Sequence, residues 1–213
     1  HMLDAILSPE LFIAYTLFVV GVASPGPSNL AIMGMAVKAG RKPALILATG
    51  ITFGSLFWGI LAALGLSAIL TTFSSVLIVI KIVGGLYLLY LAYKTGKSAL
   101  SKDEKETKLP VQSKSNLYKI FLAGAALHIT NPKAIFVWLS IMSISISAGP
   151  QSKNLFALVI GCEILGATIF LGYATLFSTN IARAAYLKLR RTFEGILSVC
   201  FGFAGIKMLT MKL

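Results

Sequence analysis

Prolines and a glycine interrupt an apolar run that is long enough to cross a membrane. The segment Ser24-Pro25-Gly26-Pro27-Ser28-Asn29 lies inside the apolar stretch 11–37. Proline removes a backbone donor and glycine loosens the backbone, so an unperturbed helix through this stretch is excluded. In lipid, irregular backbone persists only where it is buried in protein or lines a water-filled cavity. The sequence therefore predicts a broken transmembrane helix, in which Ser24-Pro25 has the form of an N-cap followed by proline at the first position of the second half-helix.

A second break of the same kind lies in the fourth apolar stretch. The segment Thr130-Asn131-Pro132-Lys133-Ala134 interrupts the run 117–148 near its middle, again with an N-cap residue, Asn131, before a proline. Interrupted hydrophobic segments at corresponding places in two halves of a chain are typical of transporter binding sites. We therefore predict a substrate-binding and translocation site made of Pro25, Gly26, Pro27, Ser28, Asn29, Asn131, Pro132 and Lys133. A proline kink without a ligand is the alternative interpretation of the first break.

Six apolar stretches, each near the roughly 20 residues that a helical span requires, account for most of the chain. They cover 11–37, 44–70, 76–93, 117–148, 155–178 and 193–209. Hydrophobic residues make up 57% of the 213 residues, a larger share than a soluble core needs. The predicted fold is an all-α integral membrane protein with six transmembrane helices, arranged as two inverted three-helix repeats with broken first and fourth helices.

A mixed-charge segment, 98–116, separates two halves of three predicted spans each. An odd number of spans per half inverts the second half relative to the first. The predicted organisation is an N-terminal extracytoplasmic segment, a first repeat, a cytoplasmic linker and a second repeat, at 1–10, 11–97, 98–116 and 117–213. His1 is interpreted as a vector-derived remnant ahead of the native start.

The net charge of +12 is concentrated in the odd-numbered connections between the predicted spans. The second and fourth connections hold only Lys153. Under the positive-inside rule, the odd-numbered connections are cytoplasmic and both termini are extracytoplasmic. The basic residues are not interleaved with aromatic ones, so they indicate contact with a lipid bilayer and not with nucleic acid.

Charged residues also lie within the predicted spans. Glu163 is the single carboxylate in a span interior, about 14 Å along the helix from Asn154 and close to the midplane. We interpret Glu163 as a proton-coupling group, or as the partner of Lys81 or Lys133 in an ion pair. Lys81 either faces the interior of the bundle or extends its stem to the outer headgroups.

The chain offers little for metal, redox or catalytic chemistry. Cys162 and Cys200 lie far apart inside predicted spans, and the histidines are His1 and His128. This pattern excludes a C-x-x-C redox pair and predicts neither a metal site nor a cofactor. A membrane-embedded enzyme would need a nucleophile and base, or metal ligands, at membrane depth, so we do not expect an enzyme.

The same motifs resemble those of the LysE/RhtB family of amino-acid exporters, which includes the lysine exporter and the homoserine and threonine resistance proteins. The resemblance covers the whole chain and is carried by Ser24-Pro25-Gly26-Pro27-Ser28-Asn29, Lys81 to Gly84 with Tyr87-Leu88, Asn131-Pro132-Lys133-Ala134 and Gly205-Ile206-Lys207. It implies a secondary active exporter of amino acids or close derivatives in the bacterial inner membrane, driven by proton exchange.

In that mechanism the substrate carboxylate is expected against the half-helix amide ends near Ser28, Asn29 and Lys133, with the site opening alternately to each side. Its ammonium is expected to bind carbonyl oxygens freed at the breaks, or Glu163. A neutral amino acid is favoured over a dibasic one, because a single acidic partner is present. Faces of small residues permit a homodimer. The alternatives are another solute on the same scaffold and a passive structural subunit.

Overall fold

The computed structural model describes residues 9–66, 72, 74–102, 109–112, 114–147 and 152–210, and over these residues it contains helices and no β-strand. In chain order the α-helices are α1 (Pro9–Ala23), α2 (Pro27–Ala39), α3 (Arg41–Leu61), α4 (Ser74–Leu100), α5 (Leu117–Ile129), α6 (Pro132–Ser147), α7 (Ser152–Leu176) and α8 (Asn180–Thr210). A π-helical turn, Ala62–Leu66, continues α3.

Both predicted breaks are present. Leu11–Ala23 and Pro27–Ala39 are bent relative to each other by 49°, and Leu117–Ile129 and Pro132–Met142 by 58°. Each second half-helix begins at a proline, whose fixed φ suits the first helical position and whose missing N–H is not needed there. The prolines therefore end one half-helix and start the next, as the sequence predicts.

Two single helical segments of the described chain, Arg41–Gly65 and Leu155–Leu176, are long and apolar enough to cross a membrane. Counting each bent pair as one span raises the number to four. These segments overlap the first, second, fourth and fifth predicted spans. The third and sixth fall within α4 and α8, so the count of six spans and the inverted repeat stay predictions.

The chain divides into two compact units, formed by 1–67 with 107–179 and by 68–106 with 180–213. In the first unit α3 packs along α5 and α7, and α1 packs against α6 and α7. In the second unit α4 packs against α8. This division follows packing alone, so the predicted repeat and linker boundaries stay predictions.

Glycines allow α3 and α5 to touch at the backbone. A Cβ atom on Gly50 would lie 2.1 Å from the carbonyl oxygen of Phe121, and one on Gly124 would lie 2.4 Å from that of Leu47. Small residues at such a crossing let the two helix axes approach closely. This pair forms one wall of the first unit and fixes α5 ahead of the second break.

In the second unit, one acidic and one basic side chain fix the last turn of α4 to α8. Arg190 Nη1 lies 3.1 Å from Glu194 Oε2, one turn further along α8. Arg190 also donates to the carbonyl oxygens of Ser98 and Ser101, at 3.3 and 3.2 Å. These carbonyls lie at the C-terminus of α4, where a cation is favoured by the helix dipole.

Candidate functional site

The two helix breaks meet at one cavity inside the first unit. The first break contributes Gly26, Ser28 and Asn29, and the second contributes Asn131, Lys133 and Ala134. The remaining lining residues come from α1, α3, α5, α6 and α7, and they are Phe18, Gly21, Val22, Ser55, His128, Val137, Trp138 and Phe170. Five of the eight predicted site residues are thereby brought together, while Pro25, Pro27 and Pro132 shape the breaks without lining the cavity.

The cavity is nearly closed in this conformation. About 20 Å³ is open to the centres of water molecules, which is room for one or two waters. A free amino acid does not fit. A ligand of that size enters only if the half-helices around the breaks move apart.

Asn29, which lies in the following half-helix α2, caps the C-terminus of α1. Its amide nitrogen donates to the carbonyl oxygen of Val22 at 2.7 Å and to that of Ser24 at 3.1 Å. The side chain is 2% exposed. Asn29 therefore satisfies carbonyl oxygens that the break leaves without their helical backbone donors.

Two further donors reach the same helix end from other helices. The hydroxyl of Tyr173 on α7 donates to the carbonyl oxygen of Ala23. The ammonium of Lys133 on α6 donates to the carbonyl oxygen of Ser24. The sequence suggested that these oxygens are free for a ligand's ammonium, but in this conformation protein donors occupy them.

Lys133 therefore places a positive charge at the negative end of α1, where the helix dipole favours a cation. Its chain packs on the backbone of Gly26, so a Cβ atom there would lie 3.0 Å from Lys133 Cδ and 3.1 Å from Nζ. Among the described residues no salt bridge joins Lys133 and Glu163, and the Lys133 ammonium bonds to Ser24 instead. The side chain of Lys81 lies outside the described residues, so its predicted role is not addressed.

The N-terminus of α2 carries no side-chain cap. The N-cap residue is Gly26, in an extended conformation, with Pro27 at the first helical position. The sequence pattern pointed to Ser24 and Pro25 instead, two residues early. Pro27 disfavours helical geometry at the residue before it, so α2 begins at the second proline. The Ser24 hydroxyl turns back to the carbonyl oxygen of Gly21 at 2.8 Å.

The N-terminus of α6 is capped by its own asparagine, as predicted for Asn131-Pro132. Asn131 Oδ1 accepts from the backbone N–H of Lys133 at 3.1 Å. The backbone carbonyl of Asn131 accepts from Ala134 N at 3.0 Å. The two breaks therefore differ, because only the first leaves its helix N-terminus without a side-chain acceptor.

His128 and Ser28 join the two broken helices. His128 Nδ1 lies 2.8 Å from Ser28 Oγ, and Asn131 Nδ2 donates to the same oxygen at 3.4 Å. His128 is 5% exposed, and its ring lies edge-on to Phe170 with centroids 5.4 Å apart. His128 is absent from the predicted site; its position one turn before the break was the available signal.

Glu163 lies next to a cavity-lining residue, Ser55, but does not line the cavity itself. Ser55 lines the cavity, accepts from Trp138 Nε1 at 3.1 Å and is the hydrogen-bonding neighbour of the Glu163 carboxyl. Glu163 Oε1 is buried and has no hydrogen-bond partner in the described structure. Glu163 therefore reaches the cavity through Ser55 and does not line it.

Comparison with known proteins identifies the family. The family model described as LysE type translocator matches residues 19–212. The chain belongs to this family. Two threonine efflux proteins are among its relatives: that of Escherichia coli (strain K12), 29% identical over 197 residues, and that of Salmonella typhi, 28% identical over 197 residues. Both alignments cover 91% of this chain and 94% of the relative.

The relatives of this chain also include uncharacterized membrane proteins. An uncharacterized membrane protein of Bacillus subtilis (strain 168) is 31% identical over 197 residues, covering 85% of this chain and 90% of that protein. No solved structure matches. The resemblance seen in the proline motifs is confirmed, and with its long apolar helices the chain is a multi-pass membrane protein of a transporter family.

The cavity offers no set of metal ligands. Where the structure describes the chain, no three histidine, cysteine, aspartate or glutamate side chains come together. The chemistry available is hydrogen bonding by asparagine, serine and histidine, beside one ammonium group at a helix end. Such groups suit a small polar organic ligand.

Proposed function

We propose that this protein is a secondary active exporter of amino acids or close derivatives, with threonine and similar neutral amino acids as the first candidates. One observation carries the proposal: a cavity lined in part by asparagine, serine, histidine and lysine side chains lies where the two broken helices of this LysE type translocator meet. The relatives named as threonine efflux proteins supply the candidate substrate.

The substrate carboxylate binds beside Lys133 and the first turn of α2. Support comes from the missing side-chain cap on α2 and from the contact of Lys133 with Gly26. A helix N-terminus attracts anions through its exposed N–H groups and its dipole. When the half-helices separate, the Lys133 ammonium is freed from Ser24 and becomes available to the carboxylate.

Alternating access uses the two breaks as hinges. The nearly closed cavity corresponds to a conformation between the inward-open and outward-open states. The bond between His128 and Ser28 and the contact of Lys133 with Ser24 then break and re-form as the half-helices move. Hinge movements of this kind need residues at element ends that absorb large changes of φ and ψ, and both breaks provide them.

Glu163 couples export to the entry of protons. In favour of this role, it is a buried carboxyl with an unpartnered oxygen whose neighbour Ser55 lines the cavity. Exchange of one proton for one substrate requires a group whose protonation alternates as the site faces each side of the membrane. Glu163 fits that requirement.

The protein is expected in the bacterial inner membrane with both termini outside the cytoplasm. The support is the concentration of basic residues in odd-numbered connections. A homodimer stays a prediction, and the small-residue faces permit it.

The test is efflux from proteoliposomes preloaded with a panel of labelled amino acids, with and without an inward proton gradient. The proposal predicts gradient-stimulated efflux of threonine or another neutral amino acid, absent from protein-free vesicles. Lack of efflux for the whole panel, with folded and inserted protein, contradicts it. Efflux of a different solute class would support a transport function but contradict the proposed amino-acid substrate.

A further inference from the structure

We propose that Asn29 Oδ1 is the acceptor for the ammonium group of the substrate. This inference rests on the proposed function and adds to it the chemical class that the site recognises: a zwitterion with a free amino group. The sequence assigned the neighbourhood of Asn29 to the carboxylate. For this one side chain we propose the ammonium in place of the carboxylate.

The orientation of the Asn29 amide is fixed by its surroundings. One end of the amide lies 2.7 Å from the carbonyl oxygen of Val22 and 3.1 Å from that of Ser24. Carbonyl oxygens only accept hydrogen bonds, so the NH₂ group must occupy this end. The rotated amide would place two or three oxygen atoms in repulsive contact. Oδ1 is therefore held at the opposite end.

That oxygen has no hydrogen-bond partner in the described structure. Asn29 is 2% exposed and lines the cavity. Buried polar side-chain atoms are nearly always hydrogen-bonded, and an unsatisfied one needs an explanation. The explanation we propose is a ligand that donates a hydrogen bond to Asn29 Oδ1 in the open state.

The other acceptors near the breaks are already engaged. Ser28 Oγ bonds with His128 and Asn131, and Asn131 Oδ1 accepts from the N–H of Lys133. Among the described side chains, the other buried atom without a partner is Glu163 Oε1, and Glu163 does not line the cavity. Asn29 Oδ1 is thus the unpartnered side-chain acceptor at the cavity.

The two charged groups of an α-amino acid fit this arrangement together. They are attached to the same carbon atom, so their binding groups must be neighbours. Asn29 lies in the first turn of α2, the same turn whose amide end and adjacent Lys133 are proposed for the carboxylate. Because a hydrogen bond to a charged group is worth more than one to a neutral group, loss of the ammonium should weaken binding strongly.

The experiment measures competition inside proteoliposomes loaded with labelled threonine. The competitors, loaded on the same side, are unlabelled threonine and 3-hydroxybutanoate, which is threonine with hydrogen in place of the ammonium. We expect 3-hydroxybutanoate to be at least about tenfold weaker in reducing labelled efflux. Equal competition by the two compounds would overturn the inference while leaving export intact. Absence of any threonine efflux would instead count against the proposed function.

Variants of Asn29 test whether this residue causes the preference for threonine over 3-hydroxybutanoate. In Asn29→Leu the preference for threonine over 3-hydroxybutanoate should fall close to one, whereas Asn131→Leu should retain it even if transport is weaker. Asn131 is the matched control because it is equally buried but its oxygen is already used. If Asn29→Leu does not fold, Asn29→Ser is measured, because its hydroxyl can still donate to the carbonyl oxygens of Val22 or Ser24 while the amide oxygen is lost, and the preference should again fall close to one. An unchanged preference in the recovered Asn29 variant would overturn the assignment.

Discussion

His128 Nδ1 and Ser28 Oγ lie 2.8 Å apart and join the two broken helices across 100 positions of sequence. Each residue lies beside a break, His128 before the second and Ser28 after the first. Their bond holds the two half-helix junctions together around the cavity. Opening of the cavity in the proposed transport cycle therefore requires this bond to yield.

Removing either partner should destabilise the closed form. Ser28→Ala leaves the ring nitrogen of His128 and the amide of Asn131 without their shared oxygen, at a cost of about 1–3 kcal/mol. The double variant Ser28→Ala with His128→Leu should cost less than the sum of the single variants. Thermal unfolding in detergent measures the loss of stability in each single variant and in the double variant. Thr49→Val is the control, because among the described residues the Thr49 hydroxyl bonds to its own helix at Leu45, so its effect should add to that of His128→Leu. Strict additivity of Ser28→Ala and His128→Leu would contradict the account.

A methyl group at Gly26 should block the site without unfolding the protein. It would lie 3.0 Å from Lys133 Cδ and 3.1 Å from Nζ, so it would crowd the space beside Lys133 that is proposed for the substrate carboxylate. We expect Gly26→Ala to reduce threonine efflux at least about tenfold, with normal yield of folded protein. Gly172→Ala is the matched control, since a Cβ there meets nothing within 4 Å, and alanine is the better helix former by about 1 kcal/mol. Equal efflux from the two variants would refute this reading of Gly26.

Loss of the Lys133 ammonium should abolish substrate binding at the cavity. Lys133→Met keeps much of the packing against Gly26 but removes the charge at the end of α1. Initial efflux rates at equal protein content should fall at least about tenfold, the scale of a lost charged hydrogen bond. Lys119→Met, which removes an exposed lysine at the start of α5, should leave the rate within about twofold. Matching rates for the two variants would exclude a binding role for Lys133.

Glu163→Gln should uncouple export from the proton gradient. The amide keeps the size of the side chain and a hydrogen bond with Ser55 but no longer takes up a proton. Efflux driven by the substrate gradient should persist, while its stimulation by an inward proton gradient should vanish. Glu194→Gln serves as control, because Glu194 pairs with Arg190 in the second unit and should keep the stimulation. Gradient-driven accumulation in Glu163→Gln would assign coupling to another group.

The helix breaks were predictable from the sequence because proline acts locally. Pro27 and Pro132 each start a half-helix, and Asn131 caps the second one through its own side chain. The cap at the first break was misplaced because two prolines, Pro25 and Pro27, satisfy the same local rule. Only the structure shows that the second of them starts α2.

The contacts that build the cavity were not predictable, because they join residues far apart in the chain. Tyr173 reaches Ala23 across 150 positions, and Trp138 reaches Ser55 across 83. Neither residue carries a local signal that separates it from an ordinary packing residue. The direction in which Asn29 points is likewise set by the carbonyl groups that surround it.

The most direct test of the account asks whether substrate protects the cavity. Ala134 lines it and is 5% exposed, so Ala134→Cys places a thiol inside; Cys162 and Cys200 are first replaced by alanine and serine. The account predicts slow labelling by a small water-soluble thiol reagent as the cavity opens, suppressed by saturating threonine. Ala48→Cys, in the core at 0% exposure and away from the cavity, should stay unlabelled. Labelling of Ala134→Cys at the same rate with and without a transported amino acid would contradict the claim that substrate binds between the broken helices.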